Sequence, residues 1–295
     1  MLTKKQFDIL TTIERSGKFN TQRQMAEVTG MSLGIVNKTI AALTGEGYIS
    51  NKGITEKGLE ALEPYRVKRA IFIAAGFGSR MVPITLNTPK PLVRVKGQRI
   101  LDSLLDAVVA AGIEEIYVVR GYLAEQFDQL LYKYPDIRFI ENFSYNEANN
   151  ISSLMCVRSL LQNAYVLEGD MLLHNKNLVT KYQYCSNYLG VPVPVTDDWC
   201  FETKNDYITK VQVGGTNCHQ MIGISYWTAQ DGAKLEKHIE AVYNAPGGKE
   251  KYWDQIPLEL YSGDYKIMVR ECSFDDIIEI DTFRELKQLD PTYDV

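Results

Sequence analysis

Short apolar strands alternate with helices through the middle of the chain, and this alternation limits the possible folds more than any other feature. Residues 69–75, 115–120 and 137–141 are rich in Ile, Val, Phe and Tyr, and each predicts a buried strand. Helical patterns lie between them, within 97–112 and at about 123–132. Strands separated by helices form a mostly parallel sheet covered on both faces. We therefore predict a doubly wound, Rossmann-like α/β sheet whose ligands bind at the carboxyl ends of its strands.

The first part of the chain follows a different pattern, that of short helices joined by tight turns. Apolar residues at helical spacing predict a first helix that ends near Gly17. Thr21 and Ser32 are typical N-cap residues and predict the starts of a second and a third helix. A short hairpin follows, with residues 51–53 near its tip, and a last helix begins after Thr55.

This order of helices and hairpin resembles the winged helix-turn-helix domains of bacterial transcription regulators. We accordingly divide the chain into a small, mainly α domain at 1–65 and a larger α/β domain at 66–295. The resemblance implies that the third helix would enter the major groove of DNA and that the hairpin would contact phosphate. The candidate DNA contacts are Ser32, Asn37, Lys38, Thr39 and Lys52.

The charge of the N-terminal domain predicts weak DNA binding. Residues 1–65 carry eight basic and seven acidic residues, a net charge of +1, whereas the whole chain of 295 residues carries −5. Neutralisation of phosphates supplies most non-specific affinity for DNA, so strong binding would require a homodimer that doubles the contacts. The alternative is that this domain serves packing or dimerisation.

The rest of the composition is typical of a globular protein with reduced thiols. The five cysteines are far apart and show no Cys-x-x-Cys spacing, which argues against a zinc ribbon or a disulfide framework. The chain begins without the apolar stretch of a signal peptide and has no long apolar run. These features predict a cytoplasmic protein that does not associate with a membrane.

The first predicted strand runs into a loop suited to phosphate. Gly76 and Gly78 let backbone N–H groups approach a polyphosphate, and Arg80 follows them directly. Lys90 stands in the string Pro-Lys-Pro-Leu about ten residues later. A lone Gly-x-Gly is weak evidence, but Arg80 and Lys90 on either side of the loop are placed to offset charge at a triphosphate. The alternative is an ordinary proline-stiffened loop with two solvated cations.

Three carboxylates predict a magnesium site. Asp170 follows the buried strand at 165–167, and Glu279 and Asp281 are two residues apart in an apolar segment. Alternate residues of a strand project from one face, so the last two carboxylates would repel each other without a cation between them. Carboxylate oxygens, water and substrate phosphates are the ligands that Mg²⁺ prefers. The alternative is a surface strand with two solvated acids.

At this point the chain resembles a known family. The string Ala-Ala-Gly-Phe-Gly-Ser-Arg at 74–80, with Pro-Lys-Pro-Leu at 89–92, is similar to the signature of nucleotidyltransferases that activate sugar phosphates and alcohol phosphates. Val-Arg-Gly-Tyr at 119–122, the Asn- and Ser-rich stretch at 142–154 and Glu-Gly-Asp at 168–170 resemble the bacterial CTP:phosphocholine cytidylyltransferases of the LicC type. The resemblance extends from about residue 68 to 290.

The resemblance implies a nucleotidyltransferase sheet and a role for each matching residue. The acceptor phosphate would attack the α-phosphorus of CTP in line, pyrophosphate would leave, and Mg²⁺ would be the cofactor. The catalytic residues implied are Arg80, Lys90 and Asp170, and the metal ligands implied are Asp170, Glu279 and Asp281. The nucleotide-binding residues implied are Ala74, Ala75, Gly76, Phe77, Gly78, Ser79, Arg80, Gly121, Tyr122, Asn142, Asn149 and Ser153.

Aromatic and acidic residues of the later chain are candidates for a choline pocket. A quaternary ammonium group has no N–H donor, so aromatic faces and diffuse negative charge recognise it. The candidates are Trp199, Phe201, Tyr226, Tyr252 and Trp253 with Asp198 and Asp254, and each tryptophan among them adjoins an acid. Core packing is the alternative for every aromatic residue.

The resemblance, together with these features, implies a Mg²⁺-dependent enzyme that converts CTP and phosphocholine to CDP-choline and pyrophosphate. One alternative keeps the chemistry and changes the acceptor to phosphoethanolamine, 2-aminoethylphosphonate or a sugar 1-phosphate. A pocket with more carboxylates than aromatic faces would favour the first two of these. Another alternative is a transcription regulator whose second domain only senses a nucleotide.

Overall fold

Two compact units make up the chain. The computed structural model describes residues 1–17 and 21–294. Unit 1 comprises Met1–Arg66 together with Tyr182–Tyr184, and unit 2 comprises Val67–Lys181 and the chain from Cys185 onward. The sequence places Tyr182–Tyr184 in the second domain, whereas the contacts of this segment group it with unit 1.

Unit 1 contains four helices and a two-stranded hairpin. These elements are α1 (Lys4–Ser16), α2 (Gln22–Thr29), α3 (Leu33–Gly45), β1 (Ile49–Ser50), β2 (Gly53–Ile54) and α4 (Glu56–Leu62). Thr21, Ser32 and Thr55 cap α2, α3 and α4 with their side chains, and Gly17 ends α1 in the left-handed region at φ 64°. The predicted order of helices and hairpin is confirmed, while the winged helix-turn-helix assignment stays a prediction.

One predicted DNA contact in unit 1 is wrong. Thr39 is buried, and its hydroxyl donates to the Ile35 carbonyl oxygen at 2.8 Å, one turn earlier in α3. The helical period turns this side chain toward Val36 and Leu43 in the core of the unit. The other four candidates are exposed: Ser32, Asn37, Lys38 and Lys52.

Unit 2 alternates strands and helices as the sequence predicts. Its strands are β3 (Arg69–Ala74), β4 (Arg94–Val95), β5 (Gln98–Arg99), β6 (Glu115–Arg120), β7 (Ile137–Glu141), β8 (Ala164–Glu168), β9 (Met171–Leu173), β10 (Asn187–Lys204), β11 (Tyr207–Trp227), β12 (Met268–Glu271) and β13 (Ile277–Glu279). Its α-helices are α5 (Ile100–Ala110), α6 (Ile151–Val157), α7 (Ala229–Tyr243) and α8 (Phe283–Leu289).

Seven strands form the central sheet, in the order β10-β12-β11-β8-β3-β6-β7. The four strands from β8 to β7 are parallel, and β11 joins β8 in the antiparallel direction. Residues of β3 alternate between two hydrophobic cores, with Phe72 beside α5 on one face and Ile71 beside α6 and α7 on the other. The predicted mostly parallel, doubly wound sheet is therefore confirmed.

Some elements differ from the expectation. The predicted helix at about 123–132 consists of 3₁₀ turns over Ala124–Tyr132, and its buried residues Phe127 and Leu130 are three apart, which matches three residues per turn. The long hairpin of β10 and β11, with irregular register near Thr196 and Trp199, was not predicted. No helix of the described residues has both the length and the apolar character that crossing a membrane requires.

Candidate active site

The parallel strands of unit 2 end level with one another, and the candidate site lies at this edge. Ala74 pairs with Arg120, Arg120 with Glu141, and Ile73 with Glu168. Two backbone hydrogen bonds connect the segments that follow these strands. Tyr122 N–H donates to Ala75 O at 3.0 Å, and Gly169 N–H donates to Ile73 O at 3.0 Å. Sequence segments almost a hundred residues apart therefore meet at the carboxyl ends of the sheet.

Glycines open the loop that follows β3. Gly78 has φ +68°, and a Cβ added there would lie 3.0 Å from Lys90 Cβ. Gly121, at the end of β6, lies so close to the Tyr145 ring that an added Cβ would approach it to 2.8 Å. Gly76, in contrast, has no heavy atom of the described chain within 4 Å of an added Cβ, so its backbone borders open space.

An aromatic pair supports the outer side of this loop. The rings of Phe77 and Tyr122 meet edge to face with centroids 4.5 Å apart. The Tyr122 hydroxyl donates to Thr85 O at 2.9 Å. The loop and the end of β6 are thus held together where the sequence predicts nucleotide binding.

The predicted cations and carboxylates form one chain of ion pairs. Lys90 Nζ lies 2.8 Å from Asp170 Oδ2 and 2.8 Å from Asp281 Oδ1. Arg80 reaches Asp281 from the solvent side, with Nη1 2.8 Å from Oδ2. Burial alone would lower the pKa of Lys90, but the two carboxylates override it and raise that pKa above its ordinary value. Lys90 is therefore a fixed positive charge inside the site.

Three carboxylates cluster beside this chain. One oxygen each of Glu168, Asp170 and Glu279 lies within 4.8 Å of the others. β9 follows Asp170 directly and pairs with β13, which places Glu279 opposite Met171. Glu168 was not predicted as a ligand, although it stands two residues from Asp170, the same spacing that singled out Glu279 and Asp281.

The cluster fits a divalent cation. Asp170 Oδ1 is buried and has no hydrogen-bond partner among the described residues. Burial and the neighbouring charges of Asp170 and Asp281 raise the pKa of Glu279 to about 9. Burial, followed by repulsion from Asp254, Asp170 and Glu279, also raises the pKa of Glu168 well above its ordinary value. A cation held by these oxygens would relieve the repulsion and satisfy the unpaired oxygen.

Asp281 differs from the other predicted metal ligands in its position and its partners. β13 ends at Glu279, so Asp281 lies beyond the strand, where its carboxylate pairs with Lys90 and Arg80. Burial raises the pKa of Asp281, but Lys90 and then Arg80 outweigh this effect and lower it. The structure thus gathers Glu168, Asp170 and Glu279, and it leaves the metal role of Asp281 a prediction.

A cavity of about 510 Å³ adjoins the cluster. Its lining includes six carboxylates, two aromatic rings and one cation. The lining residues are Ser79, Arg80, Asn150, Glu168, Asp198, Trp199, Val211, Met221, Gly223, Tyr252, Asp254, Gln255, Leu258, Glu259, Glu279 and Asp281. The sequence does not predict Gln255 and Glu259 as site residues, since only the fold brings them to the cavity. Asn150 enters the sequence analysis only within the stretch at 142–154 that resembles the cytidylyltransferases.

Four of the seven predicted choline-pocket residues line the cavity, and three do not. Trp199, Tyr252, Asp198 and Asp254 lie in the wall, and the rings of Trp199 and Tyr252 have centroids 6.2 Å apart. Phe201, Tyr226 and Trp253 are almost completely buried in the hydrophobic cores. Their assignment to the pocket is corrected, because core packing accounts for each ring.

Two of the predicted nucleotide-binding side chains, Asn142 and Ser153, are hydrogen-bonded to each other. Asn142 is buried, and its Nδ2 donates to Ser152 Oγ at 2.9 Å and to Ser153 Oγ at 3.1 Å. Asn149 accepts the Asn150 backbone N–H at 2.7 Å. These contacts connect the chain after β7 to the start of α6, and the nucleotide-binding roles of Asn142, Asn149 and Ser153 stay predictions.

One hydrogen bond connects the cavity wall with the core. The Tyr188 hydroxyl donates to Asp254 Oδ1. Burial raises the pKa of Asp254 to about 7, and the bond from Tyr188 opposes this rise. Burial and the nearby Asp254 carboxylate raise the pKa of Tyr188, which therefore keeps its proton and remains a donor.

Comparison with known proteins shows which family the chain resembles. The family model of the MobA-like NTP transferase domain matches residues 70–197. The 2-aminoethylphosphonate cytidylyltransferase of Lancefieldella rimae is 32% identical over 228 residues, which cover 76% of this chain and 92% of that protein. The choline-phosphate cytidylyltransferase of Streptococcus pneumoniae is 31% identical over 226 residues, covering 75% and 96%.

Two solved structures share the fold of this chain. The CTP:phosphocholine cytidylyltransferase from Streptococcus pneumoniae superimposes with a TM-score of 0.71 at 30% identity, covering 77% of this chain and 99% of that one. The inositol-1-phosphate CTP transferase from T. maritima shares the fold with a TM-score of 0.62 at 15% identity, covering 78% and 94%.

Proposed function

We propose that this chain, which belongs to the family of the 2-aminoethylphosphonate and choline-phosphate cytidylyltransferases, transfers CMP from CTP to a small phosphate or phosphonate that carries an ammonium group. The observation that carries this proposal is the acidic cavity beside Lys90 and Arg80. Six carboxylates and one cation line it, whereas a site for anions alone would be lined mainly by cations.

The residues of the site have complementary tasks in this reaction. Lys90 and Arg80 would bind phosphate oxygens of CTP and neutralise charge that develops at the α-phosphorus. The open backbone at Gly76 would face the nucleotide. The acceptor oxygen is already deprotonated near neutral pH, so the attack needs no general base. Catalysis then depends on position and charge.

Mg²⁺ is the proposed cofactor. Asp170 and Glu279 would hold it, as the sequence predicts, and Glu168 would complete the set, because their oxygens already lie within 4.8 Å of one another. When bound, the ion supplies charge neutralisation between the attacking oxygen and the α-phosphate. Asp281, paired with Arg80 and Lys90, would keep both cations in place.

Among acceptors, the cavity favours a primary ammonium group. Asp198, Asp254 and Glu259 line it in addition to the carboxylates of the metal cluster, and only Trp199 and Tyr252 offer aromatic faces. A primary ammonium has three N–H donors, which carboxylates satisfy directly. We therefore place 2-aminoethylphosphonate and phosphoethanolamine first.

Phosphocholine is the second candidate acceptor. The pair of Trp199 and Tyr252, with centroids 6.2 Å apart, would provide two aromatic faces to a quaternary ammonium. Asp198 adjoins Trp199 and would add negative charge without a hydrogen bond.

A single assay tests the reaction and ranks the acceptors. The purified protein is incubated with CTP, Mg²⁺ and, separately, 2-aminoethylphosphonate, phosphoethanolamine, phosphocholine and glucose 1-phosphate, and pyrophosphate is followed. We expect the highest kcat/KM with a primary amine and none with the sugar phosphate. If no acceptor gives pyrophosphate, the proposed enzyme activity is wrong. A higher kcat/KM for phosphocholine would instead contradict only the ranking.

A further inference from the structure

Tyr188 lies behind the cavity wall and is held rigidly. Its ring is buried at the start of β10, stacked on Trp253 at a centroid distance of 6.1 Å. Phe201 and Trp227 meet the same ring edge to face at 5.5 Å and 6.3 Å. Because aromatic rings contact it on three sides, the direction of its hydroxyl is fixed by packing.

That hydroxyl ends at a carboxylate of the cavity. Tyr188 donates to Asp254 Oδ1, and Asp254 is a lining residue of the cavity. The backbone beside Asp254 is also held, since Trp253 N donates to Asn150 Oδ1 at 2.9 Å and Leu258 N donates to Asp254 O at 3.1 Å. Asp254 is therefore oriented from both its main chain and its side chain.

The orientation leaves one side of the carboxylate for a ligand. A carboxylate has about four acceptor positions on two oxygens, and Tyr188 occupies one of them. The positions that face the cavity suit an N–H donor of an ammonium group. Burial favours the neutral form of Asp254, whereas the Tyr188 bond favours the charged form that would attract such a group.

We propose that Tyr188 is a positioning residue for the acceptor, in that its hydroxyl holds the Asp254 carboxylate where that carboxylate binds the primary ammonium group. This inference rests on the proposed function and adds a residue outside the cavity to it. The role is specific to charge recognition, so Tyr188 affects the amine end of the acceptor and leaves CTP and the phosphorus end unaffected.

Two acceptors that differ only in the amine test the proposal. The first is 2-aminoethylphosphonate, and the second is 2-hydroxyethylphosphonate, which has the same length and no positive charge. We expect Tyr188→Phe to raise the KM for the amine about tenfold, since it removes a hydrogen bond to a charged group. The kcat, the KM for CTP and the KM for the hydroxyl analogue should change less than twofold.

Tyr134→Phe is the matched control. Tyr134 is also buried and also donates to a carboxylate, at 2.8 Å from Asp106 Oδ1, but neither residue lines the cavity. This variant loses a similar hydrogen bond and should leave both acceptor KM values unchanged. An equal rise in both KM values for Tyr188→Phe would overturn the proposal, because it would indicate a general loss of structure.

A double-mutant cycle shows whether Tyr188 acts through Asp254. In the Asp254→Asn background, Tyr188→Phe should add less than a twofold change in the KM for the amine. A tenfold rise in the KM for the amine in the Asp254→Asn background would show that Tyr188 does not act through Asp254. Asp254→Asn alone should abolish the preference for the amine over the hydroxyl analogue, and this test applies even if Tyr188→Phe does not fold.

The two proposals fail in distinguishable ways. If the wild-type protein releases pyrophosphate with none of the ammonium-bearing acceptors, including phosphoethanolamine and phosphocholine, both proposals are wrong. If it turns over the amine and Tyr188→Phe leaves its KM unchanged, the cytidylyltransferase function stands and only the role of Tyr188 is rejected.

Discussion

Lys90 shows how a charged side chain is kept in the interior. It is only 8% exposed, yet its ammonium group lies 2.8 Å from each of two carboxylates that come from positions 170 and 281. The string around Lys90 predicts a phosphate-binding cation, but the chain order does not show which acids it meets. That contact follows from the meeting of β8, β13 and the loop after β3.

Replacing Lys90 tests whether this charge is needed for turnover. Lys90→Met keeps most of the apolar stem and removes the ammonium group, so we expect kcat to fall at least about 100-fold, as when a preorganised donor is lost. Lys133→Met is the matched control, because Lys133 pairs with Asp106 at 2.8 Å on the surface and should change kcat little. Pyrophosphate release measures both. Activity of Lys90→Met within tenfold of wild type would contradict the assignment.

The raised pKa of Glu279 predicts how metal affinity depends on pH. Burial and two neighbouring acids raise this pKa to about 9, so the carboxyl is largely protonated at pH 7 and must lose its proton before it binds a cation. Mg²⁺ affinity should therefore increase as pH rises from about 7 to 9, by up to about tenfold per pH unit for one released proton. Calorimetric titration of the nucleotide-free protein measures it.

A variant of the same residue provides the comparison. Glu279→Gln cannot release that proton, so its weaker Mg²⁺ affinity should change less with pH over the same range than the wild-type affinity does, and Glu168, whose pKa is also raised, would account for the pH dependence that remains. A wild-type affinity that stays flat from pH 7 to 9 would show that Glu279 is not deprotonated on metal binding.

At the scale of elements, capping residues and short sequence patterns predict where individual helices and strands begin and end. Side-chain caps at Thr21, Ser32 and Thr55 start the helices where the sequence places them, and the strands β6 and β7 have the predicted bounds. The sequence does not predict the β10–β11 hairpin, because its register shifts at several positions and its strands also pair with β8 and β12. The assignment of Phe201 and Tyr226 to the choline pocket is wrong for the same reason, because neighbouring elements decide whether these rings are buried.

The packing of α7 gives an element-scale prediction. Gly232 lies in this helix, and a Cβ added there would lie 2.4 Å from the Leu161 carbonyl oxygen. Gly232→Ala should therefore lower the free energy of unfolding by about 1–3 kcal/mol, although alanine is the better helix former. Chemical denaturation measures the change. The control is Gly34→Ala in α3, where no described heavy atom lies within 4 Å, and it should not destabilise.

The whole molecule joins an acidic transferase sequence to a nearly neutral N-terminal segment. The net charge is +1 for residues 1–65 and −5 for the complete chain. The sequence predicts the sheet, its binding edge and the cations beside it, because strand alternation and short motifs encode them. It does not assign Glu168 or Asn150 to the site, although both lie in segments that resemble the family, and it gives no signal for Tyr188, which only the assembled sheet and hairpin bring there. The division into two domains near residue 66 stays a proposal.

DNA binding by the N-terminal unit is a prediction for the full chain. Lys38 and Lys52 are exposed, on α3 and at the hairpin tip, so a bound copy would neutralise about two phosphates with them. The affinity for a fragment from upstream of its own gene should then fall with salt at a log–log slope of about −2 per copy. Lys38→Gln and Lys52→Gln should each reduce that slope by about 1, whereas Lys5→Gln on α1 should not. If the full chain retains no such fragment at low salt, the DNA-binding prediction is wrong, and packing or dimerisation remains the alternative role for unit 1.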